Sequence, residues 1–257
     1  MHVNELFDLT GKTAIITGGG RGLGKQIAEG FAEAGANIVV CSRKVENCKE
    51  VSQQLQEKGT ETLALKCDVT SPDDINNVVE KTLERFGRID ILVNNSGASW
   101  GAPVDEMPLE AFQKVMNVNV VGTFLTSQAV GKVMTEQKYG KIINIASVAG
   151  LRGSNPKYMD AIGYNSSKGA VITFTKDLAV KWGPRGIYVN AIAPGFFPTK
   201  MSKVLIERGG DEMRERTPLR KFGSENDLKG AALFLATAAS NFVTGETIVV
   251  DGGKSAM

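Results

Sequence analysis

Short runs of branched apolar residues alternate along the chain with longer stretches in which apolar residues recur every three or four positions. The short runs are strand-sized, whereas the recurrence is typical of amphipathic helices. Such alternation predicts right-handed strand-helix-strand crossovers and a parallel sheet covered by helices on both faces. The predicted strands lie in KTAIITG, ANIVVCSR, ETLALKCDV, IDILVNNSG, GKIINIAS, GIYVNAIAPG and ETIVVDGG.

The segments between these strands carry their own helix signals. Leu23 and Ile27 recur at helical spacing after the first strand, and a further helical region is predicted over residues 109–137. Ser71 is placed to cap a helix whose first turn accommodates Pro72.

The chain shows no linker, repeat or low-complexity segment. The pattern therefore predicts an α/β protein, a single-domain Rossmann fold over residues 1–257 with a doubly wound parallel sheet of about seven strands. Residues 196–222 interrupt the pattern, because their periodicity is weak and they carry Pro198, Gly209 and Pro218. This stretch is long for a connection, so we predict a substrate lid there.

Composition and charge narrow the class of protein. A chain of 257 residues with 42% hydrophobic content can bury a full core. Its net charge of +2, with basic and acidic residues interspersed, argues against a nucleic-acid or anionic-membrane surface. The apolar runs fall far short of the roughly 20 residues of a bilayer span, and the first residues carry no secretory signal. We therefore expect a cytoplasmic protein whose partner is a small molecule, with no nucleic acid and no membrane.

Cysteine and histidine usage removes several kinds of site. Cys41, Cys48 and Cys67 are odd in number and form no C-x-x-C pair, so neither a disulfide framework nor a zinc site is predicted. His2 is the sole histidine, which excludes a histidine-based triad or a multi-histidine metal cage within one chain. We expect no metal site.

The first strand runs into a glycine-rich stretch, TGGGRGLG, over residues 17–24. Glycines at 18, 22 and 24 let the backbone turn tightly and approach a pyrophosphate, whose charge then meets free amides at a helix N-terminus. The spacing is not G-x-G-x-x-G, and tight strand-to-helix turns use glycine in any case. The position of the stretch, between the first strand and the first helix, favours phosphate binding.

The end of the second strand bears on the choice of dinucleotide. NAD sites commonly place an acidic residue there for the ribose hydroxyls, but this chain has Ser42, Arg43 and Lys44. Arg43 and Arg21, from the glycine-rich stretch, are placed to clamp a 2′-phosphate by charge-assisted hydrogen bonds. The alternative is that both arginines are ordinary surface charges. We therefore predict NADP(H) as the preferred cofactor, with NAD(H) as an alternative.

Tyr164 and Lys168 lie four positions apart, on one face of a predicted helix. An ammonium near a phenol favours the phenolate, so the pair predicts a lowered tyrosine pKa and an acid or base for catalysis. The same spacing also occurs by chance on solvated helices. Ser147, at the end of the fifth strand, is placed to hold a substrate oxygen beside Tyr164. Asn119 is a poor helix former in a helical region, which suggests a water-holding role or simply a solvent-facing asparagine.

Taken in order, these motifs resemble the short-chain dehydrogenases/reductases over nearly the whole chain. The resemblance implies a catalytic tetrad of Asn119, Ser147, Tyr164 and Lys168. It also implies that Tyr164 and Lys168 contact the cofactor and that the protein is a homotetramer, which VTGETIVVDGG would support as the C-terminal strand. The expected cofactor contacts other than Tyr164 and Lys168 are Thr17, Gly18, Arg21, Gly22, Leu23, Gly24, Ser42, Arg43, Asp68, Val69, Asn95, Gly97, Pro194, Gly195, Phe197 and Thr199.

The resemblance gives several of these contacts a specific part. Asp68 and Val69 match the pair that meets the adenine, while Pro194 and Gly195 match residues that frame the nicotinamide. Thr199 matches the residue that binds the carboxamide. The segment NNSG, residues 94–97, matches the family's N-N-A-G, with a serine for alanine that we do not expect to disturb binding.

One departure from the family pattern concerns the catalytic serine. The segment between Ser147 and Tyr164 is several residues longer than in most members. We expect the extra residues to bulge outward and reshape the substrate mouth, rather than to displace the serine.

The resemblance implies a mechanism that agrees with the chemistry of the residues. NADPH delivers a hydride to a carbonyl carbon while Tyr164 protonates the oxygen, which Ser147 orients. Lys168 lowers the tyrosine pKa and holds the cofactor ribose, and Asn119 positions a water that connects Lys168 to solvent. We therefore expect an NADP(H)-dependent oxidoreductase that interconverts a secondary alcohol and a ketone.

Two alternatives stay open at this stage. A catalytically silent nucleotide-binding protein would keep the glycine-rich stretch but would have little reason to keep the serine, tyrosine and lysine together. Among enzymes, the chain resembles both 3-oxoacyl-carrier-protein reductases and gluconate 5-dehydrogenases. A carrier-protein docking patch would draw on Arg152, Lys157, Lys200, Lys203 and Arg208, and an apolar mouth would draw on Met159, Phe196, Phe197 and Met201. Fold analogy does not name the substrate.

Overall fold

A single seven-stranded sheet forms the centre of the molecule, in a computed structural model that describes residues 2–200 and 202–257. All strand pairs are parallel, and their order across the sheet is β3-β2-β1-β4-β5-β6-β7. This confirms the predicted doubly wound Rossmann sheet. The strands are β1 (Thr13–Thr17), β2 (Asn37–Ser42), β3 (Thr62–Lys66), β4 (Ile91–Asn94), β5 (Gly140–Ile145), β6 (Ile187–Pro194) and β7 (Thr247–Val250).

Helices cover both faces of the sheet. They are α1 (Val3–Leu6), α2 (Gly22–Glu33), α3 (Val45–Gln56), α4 (Pro72–Phe86), α5 (Leu109–Met116), α6 (Gly122–Gln137), α7 (Ile162–Trp182), α8 (Lys203–Glu215) and α9 (Lys229–Ala236). Within the described ranges, none of these helices has the length and apolarity needed to cross a bilayer.

The apolar core lies in two layers, one on each face of the sheet. Ile16 and Val40 face the layer formed with α2, α3 and α9, whereas their neighbours Ile15 and Val39 face the layer formed with α4, α6 and α7. Successive strand side chains point to opposite faces, so one continuous apolar run serves both layers. This packing holds the carboxyl ends of the strands along one edge.

The helix predicted over residues 109–137 is present, but it contains an irregular turn. Between α5 and α6, residues Asn117–Val121 form a π-helical turn. Such turns widen a helix locally and are frequent at functional sites. Here the turn carries Asn119.

The predicted start of α4 is confirmed in detail. The Ser71 hydroxyl accepts a hydrogen bond from the backbone N–H of Asp74 at 3.3 Å, and Pro72 occupies the first turn. The cap satisfies one of the N–H groups that the first turn of a helix leaves without an internal partner.

Residues 196–222, expected to form a lid, contain the helix α8, which the sequence pattern did not predict. The helix is kinked at Gly209, where φ is −159° and ψ is 26°. Adjacent glycines interrupt the apolar periodicity, which explains why the pattern was weak. A lid function for this segment remains a prediction.

Candidate active site

A cleft of about 2150 Å³ runs along the carboxyl ends of the strands. This is the edge at which open α/β sheets bind their ligands. Most of the predicted site residues line it: Gly18, Arg21, Gly22, Leu23, Ser42, Arg43, Asp68, Val69, Asn95, Gly97, Ser147, Tyr164, Lys168, Pro194, Gly195, Phe197 and Thr199. Thr17, Gly24 and Asn119 are not among the lining residues and lie behind the wall.

The glycine-rich stretch is held in place by Asn95. The amide Nδ2 of this side chain donates to the carbonyl oxygens of Thr17, at 3.0 Å, and of Gly18, at 3.1 Å. In return, the Thr17 hydroxyl accepts from the backbone N–H groups of Asn95 and Ser96. A Cβ at Gly24 would lie 2.4 Å from the Asn95 amide nitrogen, so this turn admits no side chain there.

The start of α2 fits a diphosphate. Gly22 has φ +54° and opens onto Thr199 across the cleft, with the methyl carbon of Thr199 3.5 Å from the position of a Cβ. The residue before the helix, Arg21, makes no side-chain cap. Backbone N–H groups of the first turn therefore remain available for an anion, which the helix dipole also favours. The residues present fit the dinucleotide that the sequence predicts.

Positive charge lines the wall formed by the ends of β2 and β3. Arg43 lies close enough to Asp68 to affect its ionisation. Burial raises the pKa of Asp68, but hydrogen bonds from the backbone and hydroxyl of Thr70, together with the Arg43 charge, outweigh burial and lower the pKa below its ordinary value. Within the described part of the chain, the guanidinium groups of Arg21 and Arg43 form no hydrogen bond or ion pair.

Asn119 is buried, with 1% of its surface exposed, so the alternative of a solvent-facing asparagine is wrong. Its Oδ1 accepts from the N–H of Ala98 at 2.7 Å, and its Nδ2 donates to the Ala98 carbonyl and to the Ser167 hydroxyl. Both N–H groups of the amide are therefore used. The side chain ties the π-helical turn to α7 and to the segment after β4.

Tyr164, Lys168 and Ser147 meet in the cleft. Tyr164 and Lys168 lie one turn apart near the start of α7, with the Lys168 Nζ atom 5.6 Å from the centre of the tyrosine ring. Lys168 is 5% exposed and donates to the carbonyl oxygen of Ile145 at 2.6 Å. The Ser147 hydroxyl forms a hydrogen bond with the tyrosine side chain. The longer segment after Ser147 has therefore not displaced the serine.

That longer segment does reach the mouth of the cleft, as predicted. Residues 151–157 are exposed, and Arg152, Ser154 and Tyr158 line the cleft. The Tyr158 hydroxyl donates to a carboxylate oxygen of Glu212 in α8. The segment and α8 are therefore joined at this part of the cleft, and a substrate mouth here remains a prediction.

Comparison with known proteins agrees with this geometry. A family model described as "Enoyl-(Acyl carrier protein) reductase" matches residues 18–255. A solved short-chain type dehydrogenase/reductase from Mycobacterium marinum is 37% identical, with a TM-score of 0.96 and 100% of both chains covered. This chain belongs to the short-chain dehydrogenase/reductase family. It is accordingly an oxidoreductase that acts on CH–OH and keto groups with a nicotinamide cofactor, as the sequence predicted.

Within the short-chain dehydrogenases/reductases, similar proteins carry different substrate names. The 5-keto-D-gluconate 5-reductase of Escherichia coli (strain K12) is 38% identical over 256 residues, which cover 98% of each chain. A 3-oxoacyl-[acyl-carrier-protein] reductase of Aquifex aeolicus is 36% identical over 246 residues, 95% of this chain and 98% of that protein. A gluconate 5-dehydrogenase from Burkholderia cenocepacia J2315, solved in complex with NADP and tartrate, is 37% identical, with a TM-score of 0.94 and full coverage of both chains.

The electrostatics of the tyrosine and lysine differ from the prediction in one respect. Burial raises the pKa of Tyr164 above its ordinary value, and the Ser147 hydrogen bond opposes this effect only in part. Burial also lowers the pKa of Lys168 to about 8. The expected net lowering of the tyrosine pKa was therefore wrong for the cleft as it stands, because desolvation disfavours every charged form. Tyr164 consequently keeps its proton at neutral pH.

The docking patch and the apolar mouth are only partly described. Met201 and the side chains of Lys203 and Arg208 lie outside the described residues. Lys157 pairs with Glu212 at 2.9 Å, so its charge is compensated. Lys200, Met159 and Phe196 line the cleft together with the predicted Arg152 and Phe197.

Sequence reasoning missed Arg216 and Lys254, which also line the cleft. Lys254 comes four residues after β7. Ligands in such sheets lie beyond the carboxyl ends of the strands, so the position of Lys254 just after the last predicted strand could have identified it as a candidate. Arg216 follows the unpredicted helix α8, and its neighbourhood carried no periodic signal.

We predict that Tyr164 ionises above pH 10 in the cofactor-free protein, because its burial favours the neutral phenol. The measurement is ultraviolet titration of tyrosinate, taken as the difference between the wild-type protein and Tyr164→Phe. Ser147→Ala removes the hydrogen bond that opposes burial and should move the ionisation to still higher pH. A Tyr164 that ionises below pH 9 would contradict this reading.

Proposed function

We propose that the protein is an NADP(H)-dependent oxidoreductase that interconverts a secondary alcohol and a ketone, with Tyr164 as the proton donor and acceptor. The observation that carries the proposal is the buried contact of Tyr164 with Ser147 and Lys168, in the same cleft as the glycine-rich stretch. A protein that only bound nucleotide would not need these three groups at one point.

The bound nicotinamide supplies the hydride in reduction and accepts it in oxidation. In reduction, Tyr164 gives its proton to the substrate oxygen as negative charge grows there. The Ser147 hydroxyl holds that oxygen in place. The Lys168 ammonium stabilises the phenolate that the proton leaves behind. In oxidation, the phenolate takes the proton of the alcohol.

Asn119 takes a positioning part in this proposal. Its side-chain amide is hydrogen-bonded to the backbone of Ala98, which follows Gly97, and to the hydroxyl of Ser167, which precedes Lys168. A Cβ at Gly97 would lie 3.5 Å from Asn119 Oδ1 and 3.9 Å from Lys168 Nζ. The asparagine thereby sets the shape of the wall against the ammonium. The water that we expected it to hold remains part of the proposal.

The preference for NADP(H) is supported by charge. Arg21 and Arg43 offer two guanidinium groups at the end of the cleft where a ribose 2′-phosphate would lie, and planar guanidinium groups suit phosphate oxygens. The Burkholderia cenocepacia gluconate 5-dehydrogenase was solved with NADP, which supports the same choice. A 35% identical relative from Listeria innocua is named an NAD-dependent glycerol dehydrogenase, so NAD(H) remains the alternative.

Oligomeric state, domain organisation and location are proposed on other grounds. A homotetramer is supported by large apolar side chains exposed on helices: Val121 and Phe124 near the start of α6, and Val180 in α7. The two apolar layers share one sheet, which supports a single domain over residues 1–257. The free thiols support a cytoplasmic location, because disulfides are typical of oxidising compartments.

We predict that Tyr164→Phe lowers kcat for ketone reduction by about a hundredfold or more, because it removes the proton donor. The affinity for NADPH should stay within about twofold, since the ring remains. Loss of NADPH absorbance with a panel of cyclic ketones, keto-sugar acids and ketoacyl thioesters measures the first quantity, and fluorescence titration measures the second. Tyr188→Phe, outside the cleft lining, is the matched control. Full turnover by Tyr164→Phe would remove the assignment.

We predict that Arg43→Asp lowers the NADPH/NADH ratio of kcat/KM by about tenfold or more, because it replaces a charge-assisted contact with repulsion of the 2′-phosphate. Steady-state kinetics with both cofactors give the ratio. Lys58→Asp makes the same change of charge on an exposed residue outside the cleft lining and should leave the ratio unchanged. An unchanged ratio in Arg43→Asp would mean that this arginine does not select the cofactor.

A further inference from the structure

Three cations converge at the end of the cleft away from the glycine-rich stretch. Arg152 comes from the segment after β5, Arg216 from the end of α8 and Lys254 from the segment after β7. An Arg152 Nη1 atom donates to the Lys254 carbonyl at 3.0 Å, which joins two of these segments. In the sheet, β5 and β7 lie on one side of β4. The strands β1, β2 and β3, which lead into the expected cofactor contacts, lie on the other side.

The cations lie close enough to repel one another. Burial lowers the pKa of Lys254, and the charges of Arg152 and Arg216 lower it further, while Asp251 opposes them. The Lys254 Nζ atom also lies 4.6 Å from the centre of the Phe196 ring, which fixes the ammonium against the wall of the cleft.

Two carboxylates near these cations, Asp251 and Glu212, also bind other groups. Asp251 accepts hydrogen bonds from the backbone N–H groups of Gly253, at 2.9 Å, and of Ser255, at 2.7 Å. Glu212 contacts Arg216 at 3.3 Å but also binds Lys157 and the Tyr158 hydroxyl. The two carboxylates are therefore shared with other donors, and the three cations outnumber them.

Such an excess of positive charge is stabilised by an anionic ligand. Guanidinium groups bind carboxylates through two parallel hydrogen bonds, and an ammonium adds a third donor. The same cleft holds the Ser147 and Tyr164 hydroxyls. A ligand that meets both groups carries an anion at one end and an oxygen for protonation elsewhere along its chain.

We infer that Arg152, Arg216 and Lys254 bind the carboxylate of the substrate, so that the enzyme acts on hydroxy acids and the corresponding keto acids. This inference rests on the proposed oxidoreductase function and names its substrate class. The cluster selects for the acid, and the tyrosine carries out proton transfer at a carbon along the chain.

The first test compares acids with neutral alcohols of equal carbon number. The pairs are lactate with 1,2-propanediol, tartrate with threitol, and gluconate with sorbitol, each oxidised with NADP⁺ and with NAD⁺. We expect at least one acid to exceed its neutral partner about tenfold or more in kcat/KM, because charged hydrogen bonds are the stronger class. If neutral alcohols are oxidised and no acid is preferred, the carboxylate inference is overturned while the oxidoreductase function stands.

Sorbitol 6-phosphate tests the other common anion. A phosphate ester offers the same charge to the cluster, but with a different shape and size. If sorbitol 6-phosphate is oxidised and none of the carboxylic acids is, the assignment to a carboxylate is overturned.

Variants that remove a positive charge test whether the cluster causes the preference for the acid. Arg152→Gln and Arg216→Gln should each lower the preference for the acid about tenfold, and Arg152→Lys, which keeps the charge, should recover part of it. Arg185→Gln removes an exposed charge outside the cleft lining and should leave the preference unchanged. An equal preference in Arg152→Gln, Arg216→Gln and the wild-type protein would contradict the inference.

A binding measurement tests carboxylate binding independently of substrate oxidation. Lactate, tartrate and gluconate are each titrated calorimetrically into Tyr164→Phe loaded with NADP⁺, with and without Arg152→Gln. Binding that weakens about tenfold in the double variant supports the cluster where neither the acids nor the neutral alcohols are oxidised, and in that case the proposed oxidoreductase function fails alone. Absence of binding by every acid would overturn the inference.

Discussion

The hydrogen bond from Lys168 to the Ile145 carbonyl is the contact on which the proposed catalytic arrangement depends. It fixes a buried ammonium at the end of β5, the neighbour of the central strand β4, and beside the ring of Tyr164. An ammonium out of water is costly unless it is hydrogen-bonded, so the position is held only while strand and helix stay packed together. Asn119 ties the neighbouring residues Ala98 and Ser167 together by hydrogen bonds of its side chain. The packing of α7 against β5 thus determines where the Lys168 ammonium lies relative to Tyr164.

Desolvation determines the resting state of this pair. Burial raises the pKa of Tyr164 and lowers that of Lys168 to about 8, so each neutral form is favoured relative to water. The lysine is nevertheless mainly charged at neutral pH and the tyrosine is protonated, which is the state required of a proton donor in ketone reduction. This state is nearly complete well below pH 8, about half of the ammonium is lost at a pH near the Lys168 pKa of about 8, and the rest is lost as the pH rises further. The excess positive charge around Lys254 acts on a different part of the cleft.

Much of this fold and site could be predicted from the sequence, because the strands, one helix start and the site motifs are each encoded by residues close together in the chain. Apolar runs located the strands, Ser71 with Pro72 marked the start of α4, and the family motifs placed Ser147 and Tyr164 together. Long-range effects could not be predicted. The direction of the Tyr164 pKa depends on burial by several elements, and α8 was hidden by its glycines. The Arg152, Arg216 and Lys254 cluster joins positions more than one hundred residues apart at its extremes, which no local pattern shows.

The pH dependence of kcat/KM for ketone reduction, in the wild-type protein and in Lys168→Arg, tests the central claim most directly. Arginine keeps its charge at every pH of the assay. Wild-type kcat/KM should fall as the pH rises through about 8, where Lys168 loses its proton, and this decline should be absent in Lys168→Arg whatever its absolute rate. The same decline in both proteins would show that the buried ammonium does not control proton transfer by Tyr164.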